Sequence, residues 1–274
     1  MARIGMVNYI NTAPIYEVWK EQLYSPEWLI TEAPPSTLNR MLAADELDLG
    51  FVSSYEYAAR PDKYQILADL SISATGPVGS VFLFSTVEPA ELDDKLVLMT
   101  GQSDTSVCLV RIILEEFLKV RPRYISGEVF GPRKPDSEPA AILAIGDEAL
   151  RLKVENTYPV QMDLAELWNR KTGLPFVFAV CAVREKFLTS NAETVREIRE
   201  AFLYCRSRGL EQLPEICERV ARRIPMDCEA CSLYLRAMEY DLGPAKQKAL
   251  EKFFTLLIRR GEADAAALPL KIFE

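Results

Sequence analysis

Short apolar stretches that suit strands alternate with amphipathic stretches that suit helices over about the first 190 residues. Residues 4–9 carry the apolar pattern of a strand, and apolar side chains recur at helical spacing directly after Pro14. Between these two stretches, Asn11 and Thr12 interrupt the apolar pattern. The chain therefore predicts a strand, a polar turn and a helix within its first 23 residues, and its continued alternation favours an α/β fold.

The same pattern predicts further elements along the chain. The predicted strands are 28–31, 48–52, 66–72, 80–85, 95–99, 140–145 and 175–183. Helices are expected with Ser36 as an N-cap, from Asp104, from Gly146 and over residues 163–168, and Gly173 is expected to end the last of these. Residues 131–135 predict a loop. Amphipathic helices are expected at 191–206, 210–222, 227–240 and 244–260.

The order of these elements predicts two α/β domains, the second inserted into the first. Residues 88–176 would form the inserted domain, and residues 1–87 and 177–274 the discontinuous outer domain with its helical C-terminal segment. Residues 87–94 look like a linker, and the two crossings near 85–88 and 177–182 would make a two-strand hinge. A ligand would then bind in the cleft between the domains.

Small polar residues follow or begin predicted strands at several places. These are Asn11-Thr12, Ser53-Ser54, Ser80, Thr105-Ser106 and Gly146-Asp147. Ligands of open α/β sheets bind beyond the carboxyl ends of strands, and helix N-termini there favour carboxylates or phosphates. Taken singly, each place also suits an ordinary helix cap, and Asp147 most of all, since its charge would repel an anion. Asn11 equally suits a turn residue, and Ser80 a solvated strand start.

Composition narrows the possible functions. A net charge of −8 over 274 residues argues against a broad nucleic-acid interface, which needs clustered Lys and Arg. No apolar run is long enough for a transmembrane helix, and no secretory signal pattern precedes the first strand, so a cytoplasmic location and no membrane partner are expected.

Histidine is absent from the chain. This excludes Ser-His-Asp and Cys-His nucleophilic sites and histidine-bound metals, so any catalysis must use other groups or a group on the substrate. Six cysteines follow no disulfide framework. We interpret Cys228 and Cys231 as two small residues packed on one helix face, since a metal site wants a second ligand pair.

Seven ordered motifs between residue 3 and about residue 180 resemble the chorismate dehydratase family of the futalosine route to menaquinone. They are Arg3-Ile-Gly with Asn8-Tyr-Ile-Asn11 and Pro14, Leu47-Asp-Leu-Gly50 with Val52-Ser-Ser-Tyr-Glu-Tyr57, Ser80-Val-Phe-Leu-Phe-Ser85, Asp104-Thr-Ser106, Ile145-Gly-Asp-Glu-Ala-Leu150, Asp163-Leu-Ala-Glu-Leu-Trp168 and Thr172-Gly-Leu-Pro-Phe-Val-Phe-Ala179. Cys181 departs from the bulkier residue expected there and is interpreted as strand packing.

The resemblance implies a type II periplasmic-binding-protein fold used as an enzyme without metal or organic cofactor. It implies elimination of water from chorismate, a dicarboxylate, to give 3-[(1-carboxyvinyl)oxy]benzoate, with the substrate's own enolpyruvyl carboxylate as base. It places Asn11 and Ser80 at the reacting centre. Asn11 would bind the departing hydroxyl or a developing enolate, and Ser80 would position the carboxylate. The residues expected to bind substrate are Ser53, Ser54, Val81, Thr105, Ser106, Gly146 and Asp147.

Three alternatives stay open at this point. An enzyme like 1,4-dihydroxy-6-naphthoate synthase shares the fold but is expected to use a catalytic histidine, which this chain lacks. A non-catalytic small-anion-binding protein is expected to carry an export signal, and a regulatory ligand-binding domain is expected to carry a DNA-binding segment. The chain is expected to be a monomer or homodimer.

Overall fold

The computed structural model describes residues 1–23, 25–131, 138–224 and 226–274. Its strands are β1 (Ala2–Val7), β2 (Trp28–Ala33), β3 (Leu49–Ser53), β4 (Tyr64–Ala74), β5 (Val81–Ser85), β6 (Leu96–Thr100), β7 (Arg123–Gly127), β8 (Ala141–Ile145), β9 (Val160–Asp163), β10 (Phe176–Arg184) and β11 (Ile272–Phe273). Its helices are α1 (Ala13–Gln22), α2 (Pro35–Ala43), α3 (Ser54–Ala59), α4 (Asp104–Arg111), α5 (Gly146–Glu155), α6 (Leu164–Thr172), α7 (Glu185–Glu211), α8 (Leu213–Val220), α9 (Cys228–Ala237) and α10 (Pro244–Arg259).

The strands form two mixed sheets. The first has the order β11-β4-β10-β3-β1-β2, and the second the order β7-β6-β8-β5-β9. In the first sheet β1 is parallel to β2 and β3, whereas β10 runs antiparallel between β3 and β4. In the second sheet β6 is parallel to β7 and β8, whereas β5 runs antiparallel between β8 and β9. The antiparallel strands therefore begin at the edge where their neighbours end.

The two chain crossings between the sheets lie side by side. Ala74, the last residue of β4, pairs with Phe176, the first residue of β10. The predicted strand at 80–85 exists as β5 but belongs to the second sheet, whereas the predicted outer domain included it. The division into two domains stays a prediction. The strand pairing places the two segments that connect the sheets at 75–80 and 173–175, instead of near 85–88 and 177–182. The reason is that β5 completes its backbone hydrogen bonds with β8 and β9.

Most predicted elements are present, with several corrections. Helix α2 begins at Pro35 with Pro34 as N-cap, so Ser36 is not the cap. Three strands were missed, β7, β9 and β11, because they are short and mostly half-exposed and therefore lack a clear apolar pattern. The C-terminal helices are present with shifted ends, and α7 starts at Glu185 with a kink at Asn191. Gly173 ends α6 in a left-handed conformation as expected. Most of the predicted loop at 131–135 lies outside the described residues.

The cysteine predictions are only partly correct. Cys181 is fully buried in β10, which agrees with strand packing. On α9, Cys231 is buried, but Cys228 is exposed and does not pack as predicted. No helix within the described residues is long and apolar enough to cross a membrane.

Two features hold the start of the chain in place. Asp48, just before β3, accepts hydrogen bonds from the Arg3 guanidinium on β1 and from Arg184 at the end of β10, which ties three neighbouring strands together. Gly209 of α7 lies against α1 so closely that a Cβ there would sit 1.6 Å from the Pro14 carbonyl oxygen. Only glycine permits this contact, so the C-terminal part of the chain supports the turn that carries Asn11.

Candidate active site

One cavity lies between the two sheets, where strand ends of both sheets meet. From the first sheet it takes the ends of β1, β3 and β4 and the beginning of β10, and from the second the end of β8 and the beginning of β5. Its lining residues are Val7, Tyr9, Asn11, Pro35, Ser53, Ile72, Val78, Ser80, Val81, Ser103, Ser106, Ile145, Gly146, Phe178, Ala179 and Met238. The predicted meeting of the polar strand ends is therefore found, since each of the five places contributes a lining residue.

Asn11 lies in a 3₁₀ turn between β1 and α1. The turn is held from inside by Thr12, whose hydroxyl donates to the carbonyls of Val7 and Tyr9. It is held from outside by Tyr240, whose hydroxyl donates to the Asn11 carbonyl over 2.9 Å. The Asn11 carboxamide oxygen is buried and has no hydrogen-bond partner among the described residues. Asn11 is thus both a turn residue and a polar group available to a ligand.

Ser53, at the end of β3, is oriented by Asn39 of α2. The Asn39 amide nitrogen donates to the Ser53 hydroxyl over 2.8 Å, and its oxygen accepts from the Ser53 backbone N–H over 3.0 Å. The same amide nitrogen donates to Asp104 on the opposite side of the cleft over 3.1 Å. Ser53 is the N-cap of α3, but its side chain makes no capping hydrogen bond. The capping alternative for Ser53 is therefore wrong as far as its hydroxyl is concerned.

Ser80, directly before β5, is almost fully buried, so the alternative of a solvated strand start is wrong. Its hydroxyl accepts a hydrogen bond from Tyr234 of α9 over 2.9 Å. Its carbonyl accepts from the Gly146 N–H over 2.8 Å. The preceding residue, Gly79, donates its N–H over 2.7 Å to Asp163, the N-cap of α6. These contacts hold Ser80 at the cavity wall.

The N-terminus of α4 contributes two serines to the cavity. Ser103, which the sequence analysis did not single out, is the true N-cap and accepts from the Ser106 N–H over 3.3 Å. Its hydroxyl donates to the Ser106 hydroxyl over 3.2 Å. Thr105 points elsewhere: its hydroxyl oxygen accepts from the Tyr55 backbone N–H over 2.9 Å. Thr105 therefore joins the two sides of the cleft and does not line the cavity.

The junction of β8 and α5 lies against Tyr9. Gly146 has a φ of +55°, and a Cβ there would come within 2.9 Å of the Tyr9 ring. The Tyr9 hydroxyl donates to the Gln102 side chain across the cleft. Asp147 is not the cap of α5, whose N-cap is Ile145; its carboxylate accepts from the Ile10 N–H over 3.3 Å. Burial raises the pKa of Asp147 above its usual value, partly offset by the Ile10 hydrogen bond and by Arg223 and Arg151.

The predicted site residues thus fall into two groups. Those lining the cavity are Asn11, Ser53, Ser80, Val81, Ser106 and Gly146, and those outside its lining are Ser54, Thr105 and Asp147. Ser54 is fully buried and donates to the Val177 carbonyl. Residues that the sequence analysis missed are Tyr9, Asn39, Ser103, Tyr234 and Tyr240. Tyr234 and Tyr240 lie in the predicted helix at 227–240, whose amphipathic pattern is typical of packing. No sequence signal therefore connected them with residues 11 and 80.

The electrostatics of the cavity suit an anion held without ion pairs. None of the described lining residues is Lys or Arg. Instead, α3, α4 and α5 each contribute a residue from their N-cap or first turn, where the helix dipole places a partial positive charge. The remaining walls are largely apolar, which strengthens each of these dipolar interactions. Among the described residues, no three His, Cys, Asp or Glu side chains cluster as metal ligands would.

Comparison with known proteins relates the chain to a family. A family model described as menaquinone biosynthesis matches residues 2–259. The chain is 32% identical over 265 residues to a chorismate dehydratase of Thermus thermophilus, covering 91% of this chain and 93% of that protein. It is 29% identical over 179 residues to a chorismate dehydratase of Campylobacter jejuni, covering 64% of each.

Solved structures agree on the fold. A protein of Archaeoglobus fulgidus is similar with a TM-score of 0.71 at 19% identity, covering 95% of this chain and 97% of that one. The periplasmic aliphatic sulphonate binding protein SsuA of Escherichia coli is similar with a TM-score of 0.66 at 13% identity, covering 100% of this chain and 92% of that one. The predicted periplasmic-binding-protein-like α/β fold is therefore confirmed.

Proposed function

Since the chain belongs to the menaquinone biosynthesis family, we propose that it is a hydro-lyase that eliminates water from chorismate to give 3-[(1-carboxyvinyl)oxy]benzoate. One observation carries the assignment of the site. The two residues expected at the reacting centre, Asn11 and Ser80, lie 69 positions apart in the sequence and yet line the same cavity between the sheets. The absence of histidine agrees with a reaction whose base belongs to the substrate.

The proposed reaction removes one ring hydrogen and the neighbouring hydroxyl. The enolpyruvyl carboxylate takes the ring proton, the electrons of that C–H bond form the new ring double bond, and the C–O bond to the hydroxyl breaks. The carboxyl group then gives up that proton, so that in total one proton reaches the departing oxygen, which leaves as water; the balance is chorismate to product plus water. Because the ring becomes aromatic, the reaction is strongly favourable, and the protein mainly has to hold a reactive conformer.

The residues of the cavity support this task. The Asn11 carboxamide would bind the departing hydroxyl or the charge that develops on the ring, and its unpartnered oxygen is available for a hydroxyl hydrogen. Ser80 would donate to the enolpyruvyl carboxylate. The hydroxyls of Ser106 and Ser53, together with the partial positive charge at the N-termini of α4 and α5, would hold the carboxylates. We propose no cofactor, and a cytoplasmic location and the oligomeric state stay predictions.

The direct test is to incubate the purified protein with chorismate and follow the reaction by chromatography and ultraviolet absorbance. We expect loss of chorismate with stoichiometric appearance of an aromatic enolpyruvyl ether and no added metal. The matched control is Ser80→Ala, which should retain the fold, checked by circular dichroism, while losing most turnover. Saturable chorismate binding without product would instead support a non-catalytic anion-binding protein.

A further inference from the structure

Helix α9, in the C-terminal part of the chain, reaches the cavity wall through a polar contact of Tyr234. Tyr234 is buried, and its hydroxyl donates to the Ser80 hydroxyl over 2.9 Å. The next segment lines the cavity with Met238 and pairs with the end of β4 through the Ser73–Glu239 bridge. This pairing fixes the position of α9 relative to β4, the strand after which the chain crosses to Ser80.

The direction of the hydrogen bond matters for what Ser80 can do. A serine oxygen accepts with its lone pairs and donates its one hydrogen. Since Tyr234 donates, the Ser80 hydrogen is directed away from the phenol. Among the described residues no acceptor takes that hydrogen, and Ser80 lines the cavity. Burial raises the pKa of Tyr234 above its ordinary value, so the phenol stays protonated and has a hydrogen to donate.

We propose that Tyr234 is a positioning residue that holds the Ser80 hydroxyl as a hydrogen-bond donor toward an anionic group of the substrate. The backbone of Ser80 is held by Gly146 and by the Gly79–Asp163 contact, so rotation about χ1 and rotation of the hydroxyl hydrogen are the remaining freedoms. Tyr234 restricts both before the substrate binds. This inference rests on the proposed function for the identity of the substrate, whereas the Tyr234–Ser80 hydrogen bond does not depend on it.

A double-mutant cycle tests the proposal. The four proteins are the unaltered chain, Tyr234→Phe, Ser80→Ala and the double variant, each assayed for chorismate turnover at several substrate concentrations. Tyr234→Phe should lower kcat about tenfold with KM changed less than about threefold, since a hydrogen bond that acts in the transition state is lost. Ser80→Ala should lower kcat by more, and the double variant should equal Ser80→Ala within about twofold.

A matched control separates positioning from simple loss of a buried hydroxyl. Tyr64→Phe removes the hydroxyl of a buried tyrosine on β4 that donates to Glu56 over 2.8 Å, and neither residue lines the cavity. It should leave kcat unchanged. Thermal unfolding of all variants shows whether each is folded at the assay temperature. The proposal is overturned if Tyr234→Phe has normal kcat, or if its effect multiplies fully with that of Ser80→Ala.

The proposed function can fail separately. If the unaltered chain makes no aromatic product, the same four proteins are titrated with chorismate by calorimetry. Positioning then predicts that Tyr234→Phe and Ser80→Ala each weaken binding several-fold and that the double variant is no weaker than Ser80→Ala. Additive losses of affinity, or none in Tyr234→Phe, would overturn the positioning role in that case as well.

Discussion

The polar groups on the two sides of the cavity differ in their hydrogen bonding. On the side of the second sheet, the hydroxyls of Ser80, Ser103 and Ser106 all take part in hydrogen bonds within the protein. On the side of the first sheet, Ser53 is likewise held by Asn39, but the Asn11 carboxamide oxygen is buried without a partner. An unsatisfied buried polar atom costs about 1–3 kcal/mol. The hydroxyls on the side of the second sheet are therefore positioned by the protein itself, whereas the side of the first sheet also presents a buried polar atom that a bound ligand can satisfy.

The largest expected effect comes from changing the residue that carries this buried atom. Asn11→Asp should lower kcat/KM for chorismate about 10²–10³-fold, because a carboxylate would repel the substrate's own carboxylates and cannot stabilise developing negative charge. The measurement is steady-state turnover, with chorismate affinity determined separately.

Asn8→Asp is the matched control for Asn11→Asp. Asn8 also has a buried side-chain oxygen without a partner, but it does not line the cavity. The same charge introduced there should reduce stability without a comparable loss of turnover. Equal losses in the two variants would mean that the effect is one of folding and that the two sides of the cavity do not differ as described.

The second prediction concerns the close contact on the side of the second sheet. Gly146→Ala forces a side chain into a positive φ and toward the Tyr9 ring, and should lower the free energy of unfolding by about 2–4 kcal/mol and raise KM. Gly173→Ala shares the positive φ but meets no atom within 4 Å, so it should lose only about 1 kcal/mol. Urea unfolding gives both values. Equal losses would show that the Tyr9 contact contributes nothing.

The smallest expected effect concerns the hydrogen bond that joins the two sides, from the Ile10 N–H to Asp147. Because burial raises the folded-state pKa of Asp147, the folded state binds more protons than the unfolded state between the two pKa values. The contribution of Asp147 to stability is thus complete below its unfolded pKa and is lost as pH rises through its folded pKa.

Asp147→Asn removes this titration while keeping an oxygen that can accept from Ile10. The variant should therefore gain stability relative to the unaltered chain as pH rises from about 3.5 to 7, by about 1 kcal/mol or less. The measurement is urea unfolding at several pH values. A stability difference that stays constant with pH would show that Asp147 is not the titrating group.

Much of the fold followed from local patterns. The strands β1, β3, β5, β8 and β10 are buried and read clearly as apolar runs. Strand β7 was not predicted, because its side chains are exposed or half-exposed and the strand is defined by its pairing with β6. The sheet to which β5 belongs was also mispredicted. An apolar strand of five buried residues suits either sheet equally, and its partners β8 and β9 follow it by more than 50 residues.

The sequence by itself determined the alternation of elements, the lack of histidine and the small polar residues at strand ends, because composition and short-range periodicity record these directly. Only the tertiary structure decided which of those residues share a cavity and which merely bond the backbone, as Ser54 and Thr105 do. It also decided that Tyr234 and Tyr240 support Ser80 and Asn11 from 154 and 229 positions away. Contacts of that separation depend on how sheets and helices pack, and a helix pattern identifies a buried tyrosine without identifying its partner.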